Sequence, residues 1–228
     1  MRQSLLKRLI KSSLHRIPPL ERKFQRIWPL IDPRVPAVER EFRRIWPLID
    51  RIEGWLISPD QERWLFEAAR SLPDQSSIVE IGSFKGRSTC CLAYGSRGTN
   101  THVYAIDTFN GNDFDCQHRN FFEEFLQNVD RCALRKYVTP VHGWSSEVAK
   151  TWEKPIHLLF IDGSHRYEDV LADFEEFWPH VVPGGIVAFH DVVDTWPGPS
   201  RVWTEVAAPR LSEIGNCSTL AFGKKPRS

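Results

Sequence analysis

Residues 77–89, SIVEIGSFKGRST, decide the fold. A short apolar run (Ser77 to Ile81) leads into a turn punctuated by Gly82 and Gly86, and a helical segment opens at Ser88, Thr89 and Cys90. That order reads as strand, tight turn, helix. The same alternation continues outward, through VYAID (103–107), VTPVHG (138–143), IHLLFID (156–162) and GGIVAFHD (184–191), each separated from the next by a helical stretch. Continuous apolar strands spaced by helices predict an α/β fold, a doubly wound, mostly parallel sheet with helices on both faces. STLAFGK (218–224) offers a further edge strand. Upstream, Ser58, Pro59 and Gln61 form a capping-box start, and Trp64, Leu65, Ala68, Ala69 and Leu72 follow at helical spacing.

In an open parallel sheet ligands bind beyond the carboxyl ends of the strands. Polar residues collect at those ends, so the architecture points to Glu80, Asp107, Gly143, Asp162 and Asp191. The first turn carries G-x-x-x-G and begins with an acid. Dinucleotide turns use G-x-G-x-x-G to seat a pyrophosphate on the helix N-terminus, and Glu80 would repel that anion. It suits a cationic ligand instead. The second strand ends in Asp107, about 20 residues after the loop, where a carboxylate can accept from both hydroxyls of a ribose. A nicotinamide-dependent oxidoreductase is the alternative that the sheet topology allows, and a non-catalytic scaffold is a third reading.

The densest polar cluster is Asp162-Gly163-Ser164-His165, with His190-Asp191 after the neighbouring strand. Two carboxylates and an imidazole can bind a divalent cation. An imidazole can also take up a proton near neutral pH, so His165 is the candidate catalytic base.

VEIGSFKGRST, YAIDTF, HGWS, FIDGSHRYEDVLADFEEFWPHVVPGG and AFHDV together resemble the small class I S-adenosylmethionine-dependent methyltransferases related to sugar O-methyltransferases and cephalosporin-biosynthesis proteins. The resemblance covers roughly residues 55–224 and implies a Rossmann-like fold. By that likeness Glu80, Gly82, Ser83, Phe84, Gly86 and Ser88 surround the methionine part of S-adenosylmethionine. Asp107 holds the ribose, and Ser145 lies near the adenine. Asp162, His190 and Asp191 would hold a divalent cation, Mg²⁺ or Mn²⁺ first, with Fe²⁺ or Zn²⁺ also tolerated by the imidazole. Where the related metal-dependent enzymes carry an acid, this chain has His190. The implied reaction is O-methylation of a sugar, glycan or other small hydroxylated acceptor.

The 228 residues are 41% hydrophobic and 26% charged, ordinary for a globular chain, and hold no apolar run of the ~20 residues needed to span a bilayer. The five cysteines form no CxxC pair, which suits a reducing, cytoplasmic setting. The basic start, MRQSLLKRLIKSSLHRI, lacks a small-residue cleavage site and is expected to stay on the protein. The net charge of +1 hides an asymmetry: residues 1–50 carry 12 Lys/Arg against 5 Asp/Glu, and residues 51–228 carry 18 against 24. Within that basic arm, ERKFQRIWPLID (21–32) returns as EREFRRIWPLID (39–50), matching at 10 of 12 positions. Each copy predicts a short amphipathic helix, one face bearing Phe24, Ile27 and Trp28 or Phe42, Ile45 and Trp46, ended by Pro29 or Pro47. Leu5, Leu6, Leu9 and Ile10 form a third amphipathic stretch. The expected organisation is an arm over 1–54 and a catalytic domain over 55–228. Such an arm packs on its own domain or in a homo-oligomer; peripheral membrane contact is the next alternative, and nucleic acid is not expected.

Overall fold

The computed structural model describes residues 35–54, 58–111 and 120–227. The first repeat copy and the Leu5–Ile10 stretch lie outside the described residues, as does most of Asn110 to Asp115, whose Asn, Asp and Gly content reads as a turn. The chain divides into two units between Pro47 and Leu48, each taken by itself below.

The second repeat copy forms helix α1 (Ala37–Ile49), with Phe42 buried, Ile45 and Trp46 half-buried, and Arg43 and Arg44 exposed. The helix does not stop at Pro47, as its sequence predicts, but runs on to Ile49. Proline removes one N–H and crowds the carbonyl four residues back. So close to the helix end, that is the loss of a single bond.

In the larger unit α2 (Pro59–Arg70) starts where the capping signal places it, and Gln61 Oε1 accepts from the Ser58 N–H at 3.3 Å. Its Leu65, Ala68 and Ala69 are buried. The strand–turn–helix unit is β1 (Ser77–Ile81) and α3 (Arg87–Gly95), followed by β2 (His102–Asp107), α4 (Phe122–Arg131), β3 (Val138–His142) and a short α5 (Ser145–Ala149). Then come β4 (Ile156–Ile161), α6 (Tyr167–Phe177), β5 (Val181–Phe189), a short α7 (Pro197–Val202), β6 (Ser212–Cys217) and β7 (Leu220–Lys224). The seven strands are ordered β3-β2-β1-β4-β5-β7-β6; the first five are parallel, and β7 is antiparallel to both β5 and β6. This is the doubly wound sheet expected from the sequence. One detail differs: β7 is interior and the edge belongs to β6. The stretch SEIGNC lacks apolar alternation, and its first three residues are exposed, the polar character that an edge strand tolerates.

All five residues of β1 are buried. Val79, Ile81, Leu159, Ile161, Val187 and Phe189 form the sheet's share of the core, and α6 packs Phe174 and Phe177 against it, as their spacing predicts. The strand order reverses between β1 and β4, so the crevice for a ligand opens at the carboxyl ends of those two strands. There the backbone is laced tightly: Asp162 N–H donates to Ile81 at 2.8 Å and His190 N–H to Ile161 at 3.0 Å. Gly82 has φ +87°, and a Cβ on it would stand 2.2 Å from the Asp162 carbonyl oxygen. Only glycine lets β1 and β4 close together at this point.

Candidate cofactor and metal site at the strand ends

The β1–α3 loop is tied to the end of β2. Asp107 Oδ2 accepts from the backbone N–H groups of Ser83 and Phe84, both at 2.7 Å, and Oδ1 accepts from Phe109 N–H at 2.6 Å. Phe84 sits at φ +46°, a left-handed conformation that a bulky residue rarely adopts unless held. An ionised carboxylate offers about four lone-pair positions; three are taken by backbone, and Oδ1 keeps one for a further donor such as a ribose hydroxyl. Asp107 is thus first of all the clasp of its own loop, a role that sequence spacing does not disclose.

Glu80 lies at the floor of the loop, fully buried. Its Oε2 accepts from the Thr89 hydroxyl, whereas Oε1 and the buried Ser83 hydroxyl have no hydrogen-bond partner among the described residues. Burial pushes the Glu80 carboxyl up to about 7, partly offset by the Ser88, Thr89 and Ser83 hydroxyls around it. Orphaned buried acceptors are costly, and a cationic group with N–H donors would satisfy these. The residues present therefore fit the ammonium end of S-adenosylmethionine. Gly86 caps α3 and Ser88 stands in its first turn, nearly buried.

Ser145 opens α5, and its hydroxyl donates to Asp173 Oδ1 on α6. Asp173, four residues after Asp169 on an acidic helix, carries no local sequence signal of burial. It is nevertheless buried, and burial pushes its carboxyl up to about 6 despite the Ser145 hydroxyl. Beside Ser145, Trp144 is 70% exposed.

The second cluster assembles at the ends of β4 and β5. One ligand atom each from Asp162, His190 and Asp191 falls within 4.8 Å of the others. His190 Nδ1 lies 3.0 Å from Asp162 Oδ1 and 3.4 Å from Asp191 Oδ2. Neither ring nitrogen is aligned for a hydrogen bond, although both are buried; the approach is one of charge, the arrangement of donors around a point. Burial disfavours a charge on His190, but the two carboxylates overcome it and raise the imidazole to about 10. Burial likewise works against the Asp191 carboxylate, yet His165 and His190 hold it well below the usual range. A divalent cation would replace the His190 proton as the positive centre. Two carboxylate oxygens and one imidazole nitrogen are a donor set suited to a divalent cation, the carboxylates favouring a hard ion such as Mg²⁺ or Mn²⁺ and the imidazole admitting Fe²⁺ or Zn²⁺. Asp191 has φ +55°, a strained backbone at the residue shared by the whole cluster.

His165 joins this cluster: its Nε2 is 2.9 Å from Asp191 Oδ2. Its ring stacks on Trp196, centroids 3.9 Å apart and planes 16° from parallel. From sequence Trp196 reads as part of a rigid loop at the substrate mouth; the contact with His165 is tertiary and carries no local signal. The structure thus brings Asp162, His165, His190 and Asp191 into one group, and Glu80, Ser83, Phe84 and Asp107 into a second one.

Residues 79–192 match the family model described as a methyltransferase domain. The protein y4gI of Sinorhizobium fredii (strain NBRC 101917 / NGR234) is 31% identical over 170 residues, 69% of this chain, and the chain spans 17% of the length of that relative. Among solved structures, the Bacillus cereus O-methyltransferase in complex with SAH is 18% identical, with a TM-score of 0.59 over 88% of this chain and 96% of that one. TomG from Streptomyces achromogenes, an O-methyltransferase involved in tomaymycin synthesis and solved with SAM, is 17% identical, with a TM-score of 0.58 over 83% of this chain and 89% of that one. At such identities the structural likeness speaks for the fold. With the family model covering half of the chain, the protein belongs to the methyltransferase-domain family.

Proposed function

We propose that this protein is an O-methyltransferase that moves the methyl group of S-adenosylmethionine onto a hydroxyl of a sugar, glycan or other small molecule, with a divalent cation assisting. The observation that carries the reading is the meeting of Asp162, His190, Asp191 and His165 at the ends of β4 and β5, beside the crevice floored by Glu80. Nothing in the packing of the sheet requires that combination of groups.

S-adenosylmethionine, when bound, supplies a methyl group already activated on a sulfonium. A cation held by Asp162, His190 and Asp191 supplies Lewis acidity toward the acceptor hydroxyl. The chain does the rest. Glu80 and Ser83 receive the charged end of the cofactor, Gly82, Phe84, Gly86 and Ser88 shape the loop around it, and Asp107 offers its remaining lone pair to the ribose. Ser145 borders the adenine side. His165, oriented through Asp191, removes the hydroxyl proton as the oxygen attacks, since a protonated alcohol is a poor nucleophile. Alignment of that oxygen behind the methyl group supplies much of the acceleration. We further propose that the basic arm acts in assembly and that residues 55–228 form the catalytic domain, in the cytoplasm, with Asp50 to Glu53 bracing its cofactor loop. No helix among the described residues is long and apolar enough to cross a membrane.

Calorimetric titration of S-adenosylmethionine and, separately, Mn²⁺ into wild type, Asp162→Asn and His190→Ala tests this. Expected is cofactor binding by all three and Mn²⁺ binding by wild type alone. No heat with the cofactor under any condition, or heat with NADH in its place, overturns the methyltransferase reading; unchanged Mn²⁺ binding in the variants overturns the metal site.

A further inference from the structure

Trp196 does more than fill space beside the site. Two restraints are needed to orient an imidazole, because its side chain turns about two bonds. A stacked ring fixes the plane of the imidazole but not its edge: half a turn about the Cβ–Cγ bond leaves the plane unchanged and exchanges nitrogen for carbon on both sides. A hydrogen bond at one nitrogen selects the edge only while the ring stays in the plane that aims that nitrogen at its acceptor, and by itself it leaves the plane free to rock and the ring free to turn over. His165 has both, the Trp196 indole at 3.9 Å against its face and Asp191 Oδ2 at 2.9 Å from Nε2.

The turn that carries the indole is itself held. The Trp196 backbone N–H donates to the Val193 carbonyl at 2.9 Å, and the Ser200 hydroxyl donates to the same carbonyl at 2.8 Å. The loop is also pressed against the backbone that carries His165: a Cβ on Gly198 would stand 2.1 Å from the His165 carbonyl oxygen and 2.9 Å from Tyr167 N. Indole and imidazole therefore ride on two segments locked together at backbone level.

We infer that Trp196 is a positioning residue that, together with Asp191, holds His165 in the tautomer with its proton on Nε2 and leaves Nδ1 as the nitrogen that accepts the substrate proton. A carboxylate accepts only, so the nitrogen facing it must donate; the ring nitrogen that remains is the base. The inference rests on the reading of His165 as that base, but its test needs no acceptor.

Nitrogen NMR of ¹⁵N-histidine-labelled, metal-free full-length protein at alkaline pH, with His165→Gln to assign the signals, reads the tautomer directly. Expected for wild type and Trp196→Phe is a single form, Nε2 protonated and Nδ1 bare, with two well-separated resonances. In Trp196→Ala and Trp196→Leu the separation collapses toward an average, while the affinity for S-adenosylhomocysteine changes less than twofold. Trp196→Leu keeps apolar bulk and serves if the alanine variant does not fold. A single Nε2-protonated form surviving in the leucine variant overturns the inference, as does a phenylalanine variant that behaves like leucine. Wild type that fails to bind S-adenosylmethionine would sink the proposed function and leave the tautomer result standing, so the two failures are distinguishable.

Discussion

Replacing Asp107 by alanine should cost the protein its loop before it costs it a ribose contact. The carboxylate accepts three backbone N–H groups, from Ser83, Phe84 and Phe109, at 2.7, 2.7 and 2.6 Å. Each donor stranded by the truncation loses about 1–3 kcal/mol. Ser83 and Phe109 are buried, but Phe84 is only half-buried and water can follow the deleted carboxylate into the loop, so the lower end applies, about 3 kcal/mol in total. Phe84, at φ +46°, would relax and take the cofactor loop with it. For a chain of this size the melting temperature should fall by about 6–12 °C. Asp107→Asn should fall between, because a carboxamide has one acceptor oxygen and turns an N–H₂ toward donors. Thermal and urea denaturation of the ligand-free variants, followed by circular dichroism, measures the loss, and calorimetry with S-adenosylhomocysteine measures affinity. An alanine variant within 0.5 kcal/mol of wild type would refute the clasp. A destabilised variant that still binds at full affinity would refute the ribose contact alone.

Gly82→Ala combines a forbidden φ with a Cβ 2.2 Å from the Asp162 carbonyl. It should cost about 2–5 kcal/mol of stability and weaken Mn²⁺ binding by moving Asp162; an alanine variant with wild-type urea midpoint and metal affinity would contradict the close approach. The Glu80 carboxyl is raised from 4.5 to about 7, so between those values the folded chain keeps a proton that the unfolded chain has released. Its contribution is fully present below pH 4.5 and is lost as pH rises through 7, amounting to about 3 kcal/mol by pH 8. Glu80→Gln should therefore show a flatter dependence of stability between pH 5 and 8 than ligand-free wild type, and identical profiles in urea titrations would count against the burial of that charge. His165→Gln should keep S-adenosylmethionine binding within a few-fold while abolishing turnover of whichever hydroxylated acceptor an activity screen finds; a turnover loss under about tenfold would remove His165 as base.

The strands and the crevice were legible because an unbroken buried run such as SIVEI has little other reading, and because Glu80, Asp107, Asp162 and Asp191 fall at the ends of such runs. Helix α6 showed itself through Phe174 and Phe177. What escaped has a common cause, dependence on contacts distant in sequence or on backbone conformation. The polar edge strand β6 has no pattern to read, and the passage of α1 through Pro47 depends on how little helix remains beyond it. Asp107 as a backbone acceptor requires the left-handed turn at Phe84. The stacking of Trp196 on His165 joins two strand-end loops, and the burial of Asp173 follows from how α5 lies beside α6.

The two cations of the cofactor loop, Lys85 and Arg87, give the chain one more property. The Arg87 guanidinium donates to the Ile52 carbonyl at 2.7 Å, pairs with Asp50, and reaches the buried Glu62; Lys85 bridges Glu53 and Glu124 at 2.6 and 2.9 Å. Residues 50–53 are in this sense a share of the cofactor loop carried elsewhere in the chain. A deletion meant to remove only the repeat must end before Asp50, since a chain begun at residue 55 would take Asp50 and the Ile52 carbonyl from Arg87 and Glu53 from Lys85, leaving each cation a single carboxylate, and would report a weakened loop as though it were a function of the arm. Grafting the arm onto another domain would need the same overlap.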